Sequence, residues 1–520
     1  QTLHSSYVPK TNQFTVRTAG LTTPVANVQV SGSVVTLTLY TAIVANNTVT
    51  VSYSSDSSGL RNSSGVLISS FSNISVVNQT SPGSVGGGGG SGSGGAFDAT
   101  PEGAIVLQPG HYTSSSSTSP GSQAANQYTV LEESLNNAYK AARSISTSNP
   151  RVQLNISDSE KAGLASIPLQ ALENAKNSGG TATFIVKYGD ITYEIPCNAL
   201  DYAQIAKALN VGGTTGYLQI KIDKNAPSLS YTLTSAINRA GAITYVAPVH
   251  FELDVTAGGV VKEWTDLTQY VTRSFTTTAA VTGRQAAVVW VDPATNVLSY
   301  LPTKVTTEGN SYKVTFQSKS NDSYAVVKGN VTYSDTSSHW ANTNIMLLAN
   351  KYIVEGRSTS KFEPTKPITR GEFAMFIARG LGLSGDKNAA AAFSDLKTNT
   401  ALAAYIGAAS KAGIVQGNSD GTFKPNSFIT RQEAAAMLNR AASVAGSNVT
   451  LPQTASAYLQ RFKDKKQIGQ WAQQDVAKSV YTGFITGTTS TTFAPQSNTT
   501  RAEASIMIQR LLTYVGFLQS

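Results

Sequence analysis

Residues 356–372 read GRSTSKFEPTKPITRGE, residues 417–433 read GNSDGTFKPNSFITRQE and residues 487–503 read GTTSTTFAPQSNTTRAE. In each stretch a phenylalanine (Phe362, Phe423, Phe493) follows the glycine by six positions. A proline (Pro364, Pro425, Pro495) stands two positions further on, and an arginine (Arg370, Arg431, Arg501) six beyond that. A register kept without insertion through three copies marks a structural repeat. Upstream, Ile345, Ile406 and Val476 each lie eleven positions before the glycine, and Asp335, Asp395 and Asp464 head the three copies. Each copy reads as helix, loop, helix. The first helix runs from near Trp340 or Trp471 to the glycine, which is expected to be its C-cap. Phe-x-Pro makes the loop, and Thr369, Thr430 and Thr500 with Glu372, Glu433 and Glu503 form the capping boxes that open the second helix. Apolar stripes such as Phe373-Ala374 with Phe376-Ile377, and Ala434-Ala435 with Met437-Leu438, are expected to bury themselves against neighbouring copies.

The rest of the chain is organised differently. Its 520 residues predict three or four folded units. Residues 14–53 alternate as half-buried strands do, through Phe14-Thr15-Val16, Val28, Val30, Val35, Leu37, Leu39, Val49, Val51 and Tyr53. Polar breaks at Gly32-Ser33 and Asn46-Asn47 sit where turns are needed. The unbroken run Gly86 to Gly90, continued by Ser91-Gly92-Ser93-Gly94-Gly95, reads as a flexible linker, because it lacks the strand, helix and Lys-Ser/Thr that a phosphate loop requires. In the central region, 136–142 and 167–176 read as helices, and 182–195, 217–222, 249–255, 286–291 and 312–316 as strands. The fold class expected is multidomain: an N-terminal all-β sandwich-like module over 1–80, the linker over 81–96, a central β-rich α+β region over 97–330, and helical repeats over 331–385, 391–446 and 460–520.

Composition excludes several chemistries. One cysteine, Cys197, rules out an internal disulfide framework, an iron–sulfur cluster and a cysteine-rich zinc site. His4, His111, His250 and His339 are scattered and form no His-x-x-x-His pair, so no metal is expected. Nothing in the sequence calls for a cofactor. There is neither an apolar run long enough to span a bilayer nor a leader pattern in the first ten residues, and sparse charge with abundant Ser, Thr, Asn and Gly points to a mature exported chain. The net charge of +9 is unevenly placed: from Val331 onward there are 19 Lys and Arg against 11 Asp and Glu, and before it 20 against 19. That asymmetry predicts an anionic partner for the last third. Nucleic acid is disfavoured, since neither clustered Lys/Arg nor aromatic platforms are present.

Tyr333-Ser334-Asp335, His339-Trp340-Ala341 and Ile368-Thr369-Arg370-Gly371-Glu372 in the first copy closely resemble the S-layer homology family. So do Phe393-Ser394-Asp395 and Ile429-Thr430-Arg431-Gln432-Glu433 in the second, and Phe462-Lys463-Asp464, Trp471-Ala472 and Thr500-Arg501-Ala502-Glu503 in the third. The resemblance implies a pseudo-threefold, prong-like trimer of repeats. It further implies grooves that bind secondary cell-wall polysaccharide, often through pyruvylated N-acetylmannosamine, and a location at the wall or S-layer. The first 80 residues resemble SwmB-type β-sandwich repeats, through Phe14-Thr15-Val16, Val35-Thr36-Leu37-Thr38-Leu39, Val49-Thr50-Val51-Ser52-Tyr53, Leu60-Arg61-Asn62 and Val77-Asn78-Gln79-Thr80. The chain is therefore expected to be a fragment of a longer protein. Pro248-Val249-His250-Phe251-Glu252-Leu253 and Val291-Asp292-Pro293 loosely resemble β-rich domains that precede wall anchors in Paenibacillus-like surface proteins, a likeness that implies no activity.

The candidate polysaccharide-binding residues follow. Arg370, Arg431 and Arg501 sit one position past a helix cap, where free amides and the helix dipole favour an anion, and a planar guanidinium grips a carboxylate through two hydrogen bonds. Trp340 and Trp471 offer a flat face to a sugar ring, or alternatively anchor the core. Asp335, Asp395 and Asp464 are acceptors for sugar hydroxyls, or alternatively caps of the first helix. The second copy has Ala401 in place of tryptophan, which weakens any groove relying on that indole. The expected protein is noncatalytic, with no catalytic residues, partnered by the anionic polysaccharide and by copies of itself in a lattice, and without membrane insertion. The alternative is a wall-attached glycoside hydrolase drawing on Glu252, Asp254, Glu263 and Asp266, of which the alternating Glu252 and Asp254 are read as a solvated strand face.

Overall fold

A computed structural model describes residues 3–4, 8–18, 21–31, 33–39, 48–76 and 97–519. The expected linker at 81–96, the closing Val77-Asn78-Gln79-Thr80 and the turn positions Gly32, Asn46 and Asn47 lie outside these residues. The chain is multidomain and β-rich, with its helices concentrated toward the C-terminus.

In the N-terminal module the alternating residues become strands. Leu21–Thr23, Phe14–Thr18, Val49–Tyr53 and Phe71–Val76 form one antiparallel sheet in that order, and Val25–Ser31 pairs with Val34–Leu39 as a separate hairpin. Phe14, Val16, Val49 and Tyr53 of the sheet share a small core with Val25 and Val28 of the hairpin.

Two large sheets dominate residues 97–330. One runs Val297–Leu301, Ala286–Asp292, Ser323–Lys328, Ile243–Ala257, Tyr217–Asp223, Gly163–Pro168, Ala124–Val130, Tyr112–Thr118, with Val260–Glu263 added beside Ile243–Ala257. The other runs Thr303–Glu308, Ser311–Ser318, Val271–Thr277, Ile191–Pro196, Thr183–Tyr188, Arg151–Ile156, Ala104–Leu107, Asp98–Ala99. Their inner faces meet: the rings of Phe251 and Phe275 lie 6.2 Å apart, and those of Tyr324 and Phe316 5.1 Å. The helix expected at 136–142 is longer, Glu132–Ile145, and buries Leu135, Ala138, Tyr139 and Ala142 along one stripe. The strand expected over 182–195 is a hairpin, because Gly189 takes a φ of 56° and turns the chain. Helices Tyr202–Leu209 and Pro227–Arg239 were not legible in the sequence.

Each C-terminal repeat contributes two main helices: Asn342–Ala349 and Arg370–Gly380, Ala401–Lys411 and Arg431–Val444, Gln473–Thr482 and Arg501–Tyr514. All three expected capping boxes form, Thr369 with Glu372, Thr430 with Glu433 and Thr500 with Glu503. The glycines are not the C-caps expected of them. The first helices stop at Ala349, Lys411 and Thr482, well before Gly356, Gly417 and Gly487. These glycines are needed for close approach: an added Cβ would lie 2.6 Å from the Tyr333 ring at Gly356, 2.5 Å from Phe393 at Gly417 and 2.8 Å from Phe462 at Gly487. The aromatic that opens each repeat thus packs directly onto the glycine backbone.

The helical repeats and the central sheets share one core. Ala287, Val289, Tyr300 and Ala325 of the first central sheet pack with Ile353, Phe376, Leu381, Leu512 and Phe517. Tyr300 Oη donates to the Phe517 carbonyl at 2.7 Å, and Tyr270 Oη to that of Leu381 at 2.7 Å. No described helix is long and apolar enough to cross a membrane.

Candidate functional site

The Phe-x-Pro loop needs a residue with positive φ between its two landmarks: Glu363, Lys424 and Ala494 stand at 60°, 59° and 58°. Such a conformation costs a non-glycine residue free energy unless neighbours hold it. Asp335 supplies the hold in the first copy, accepting from the Phe362 amide at 2.9 Å and the Glu363 amide at 2.8 Å. Asp395 does the same for Phe423 and Lys424 at 2.8 and 2.7 Å, and Asp464 for Phe493 and Ala494 at 3.0 and 2.7 Å. The aspartates therefore clamp the loops, and the first helices are not what they cap. Partial burial works to raise the Asp335 pKa, but the two amides outweigh it and hold the carboxyl below its ordinary value.

Each arginine leaves its own repeat. Arg370 Nε donates to the Phe423 carbonyl and its Nη1 lies 3.1 Å from Glu433. Arg431 reaches the Phe493 carbonyl at 2.9 Å, Glu503 at 3.2 Å and the Thr486 carbonyl at 2.6 Å. Arg501 returns to the first repeat, to the Phe362 carbonyl at 2.8 Å, Glu372 at 2.7 Å and the Glu355 carbonyl at 2.5 Å. Each guanidinium also lies over the ring of the phenylalanine whose carbonyl it binds, at 5.1, 5.3 and 4.6 Å. The backbone follows the same order. Ile429 N donates to Ile368 O, Thr499 N to Ile429 O and Ile368 N to Thr499 O, closing a ring of three hydrogen bonds. Burial lowers the pKa of Arg431 and Arg501, whose side chains are 4% and 1% exposed, while Arg370 keeps 13% of its side chain in solvent. Among the described residues Arg370 Nη2 meets no acceptor.

The tryptophans are surface residues, Trp340 at 68% exposure and Trp471 at 58%. Trp340 and Arg431 come together in a groove of about 230 Å³, with Phe484 to Thr488, Glu503, Met507 and Arg510 completing its walls. One tryptophan, one buried arginine and one outer arginine thus converge from three different repeats. Arg510 was missed in the sequence, although a signal existed: Arg379, Arg440 and Arg510 each stand nine positions after the capping arginine. Arg379 is the exception in place, buried over the Tyr405 ring and joined to Glu355 at 2.6 Å.

The central carboxylates form a different arrangement. Lys221 Nζ lies 2.6 Å from Glu252 and 2.5 Å from Asp254 across paired strands. Asp254 is buried, so the solvated face expected here is instead an ion-paired cluster. Glu252 is pulled down to about 2 by His250 first and then by Lys221. A glycosidase acid needs the opposite shift. Asp266 accepts from Gln204 at 3.1 Å, and Glu263 faces Asp254 across neighbouring strands.

Comparison with known proteins agrees with the repeat geometry. The S-layer homology domain matches residues 332–374, 392–435 and 461–505. An amylopullulanase of Thermoanaerobacterium thermosulfurigenes is 34% identical over 264 residues, 51% of this chain and 14% of its own length. Exoglucanase XynX of Acetivibrio thermocellus is 36% identical over 187 residues, 36% of this chain and 17% of its own. An S-layer protein of Bacillus thuringiensis subsp. finitimus is 32% identical over 172 residues, 33% of this chain and 20% of its own. The chain spans at most a fifth of the length of each of these three relatives. The expectation of a noncatalytic protein is corrected by these matches, since two of the three relatives are enzymes by name and one of those matches over half the chain. Matching residues and repeated geometry lead to one conclusion: the C-terminal region of this chain consists of three S-layer homology domains, and the chain is a wall-associated cell-surface protein.

Proposed function

We propose that the three repeats form a pseudo-threefold unit that anchors the chain by holding an anionic, pyruvylated secondary cell-wall polysaccharide in the grooves between them. The observation that carries this reading is the groove in which Trp340, Arg431 and Arg510 converge. An indole face suits a sugar ring, and a cationic wall suits a ketal carboxylate. Cyclic permutation of the arrangement pairs Trp471 with Arg370 and Arg440, and there Arg370 offers its open Nη2 to a carboxylate. The remaining groove has Ala401 in place of tryptophan and an Arg379 already neutralised by Glu355, so it is the weakest of the three. Arg501 serves this groove from its buried position, and Asp335, Asp395 and Asp464 shape the loops that border all three. Copies of the chain side by side in a surface lattice belong to the same reading.

The test is binding of the full chain to purified wall sacculi before and after removal of the pyruvylated polymer, beside a Trp340→Ala/Trp471→Ala variant. Loss of binding with the polymer and at least a tenfold loss with the tryptophans is expected. Undiminished binding to stripped sacculi would refute the proposal. A second reading, a wall-attached glycoside hydrolase, is favoured by the amylopullulanase match, whose 264 residues exceed what the three repeats occupy. Release of reducing ends from α-glucan, β-glucan or xylan by the whole protein would support it, and no release from any of them would refute it.

A further inference from the structure

The two large central sheets have four edges, and three of them are blunted. The edge at Asp98–Ala99 is two residues long. The edge at Thr303–Glu308 carries Lys304 and Glu308 and is covered by the C-terminal residues: Leu518 bridges to Thr303, Gln519 accepts from Val305 N at 2.7 Å, and Gln519 donates to Val305 O at 3.0 Å. The edge at Val297–Leu301 lies under the helical repeats, with Ser299 Oγ 2.7 Å from Tyr405 Oη. The fourth, Tyr112–Thr118, has none of these devices. Its sequence YTSSSST has no lysine, no charge and no proline, its pairing with Ala124–Val130 runs through seven residues without a bulge, and Thr113 to Ser116 and Thr118 are exposed. Natural sheets rarely leave such an edge open unless something pairs with it.

We infer that the strand Tyr112–Thr118 is a pairing surface for a second copy of this chain, joined edge to edge as antiparallel strands. The partner follows from charge and shape. Two chains of net charge +9 repel, but this strand and its neighbour AANQYTV carry no charged residue, so like edges can approach here. Serine and threonine hydroxyls placed opposite one another exchange cross-strand hydrogen bonds. A strand that meets its own copy about a twofold axis gives a closed, isologous contact, centred here on Ser115. The inference does not depend on polysaccharide binding, and its test uses no glycan.

The full chain is examined by sedimentation equilibrium over a concentration series, with a Ser114→Lys/Ser116→Lys variant beside it. A Ser115→Cys variant is oxidised in parallel, and because Cys197 is buried it adds no background cross-link. Expected are a concentration-dependent dimer, a dissociation constant raised at least tenfold by the two lysines with an unchanged circular dichroism spectrum, and a disulfide-linked dimer for Ser115→Cys. A mass of one chain at every concentration would overturn the inference. So would a dimer indifferent to the lysines, or one in which Ser115→Cys fails to cross-link.

Discussion

Lys351 lies where the first helical repeat meets the central sheets, with no exposed surface. Its Nζ donates to the Gly283 carbonyl at 2.8 Å and to that of Ala286, and the Tyr300 ring is 5.8 Å away. Among the described residues no carboxylate is within ion-pair distance. Burial, aided by the nearby Arg284 charge, pushes its pKa from 10.5 down to about 7. A depressed base makes the folded state bind fewer protons than the unfolded chain between those two values. Stability therefore rises with pH across that window, by up to about 1.4 kcal/mol per pH unit, and the deficit is complete below pH 7. Replacing Lys351 by Met removes this linkage and also the two hydrogen bonds to carbonyls, a loss of roughly 1–3 kcal/mol. From pH 7 to pH 9 the wild type should therefore gain roughly 2–3 kcal/mol on the variant. The assay is denaturant unfolding at several pH values in that window, followed by the fluorescence of the buried Trp264 and Trp290. Parallel pH profiles for the two proteins would refute the reasoning, since they would show that the amine keeps its proton in the fold.

Arg501→Met breaks a buried pair with Glu372 and should cost roughly 3–5 kcal/mol in thermal or denaturant unfolding, and Arg370→Met, more exposed, less. Asp395→Ala strands the Phe423 and Lys424 amides and should cost about 1–3 kcal/mol, of which Lys424→Gly in the same background should recover part by relieving the positive φ. Glu252 has a depressed pKa, so its contribution is present above its ordinary value of 4.5 and lost as pH falls toward about 2. Lys221→Met should shrink that acid-sensitive step in a pH titration of unfolding. Ala401→Trp should add sacculus binding only when combined with Glu355→Gln, because the resident carboxylate otherwise occupies Arg379.

Local signals carried much of the architecture. Capping boxes were readable because Thr and Glu act on amides three positions away, and strands at 14–53 because alternation is a property of the strand itself. Glycine roles were not readable, because a C-cap glycine and a glycine demanded by an aromatic ring look alike in one dimension. Gly356, Gly417 and Gly487 needed the positions of Tyr333, Phe393 and Phe462, more than twenty residues away. The hairpin at Gly189 and helices Tyr202–Leu209 and Pro227–Arg239 were missed because their apolar residues face a sheet whose strand order is non-local.

The candidate site divides along the same line. From the sequence alone came the three repeats, their loops, their arginines at one register and the absence of a tryptophan in the second copy, all matters of spacing along the chain. Only the tertiary structure decided that each arginine serves the next repeat, that the aspartates hold loops, that Trp340 meets Arg431 and Arg510, and that Lys351 is sealed under the central sheets. The physical reason is that a charged side chain's partner depends on which distant backbone packing brings within about 3 Å, and no periodicity encodes that distance.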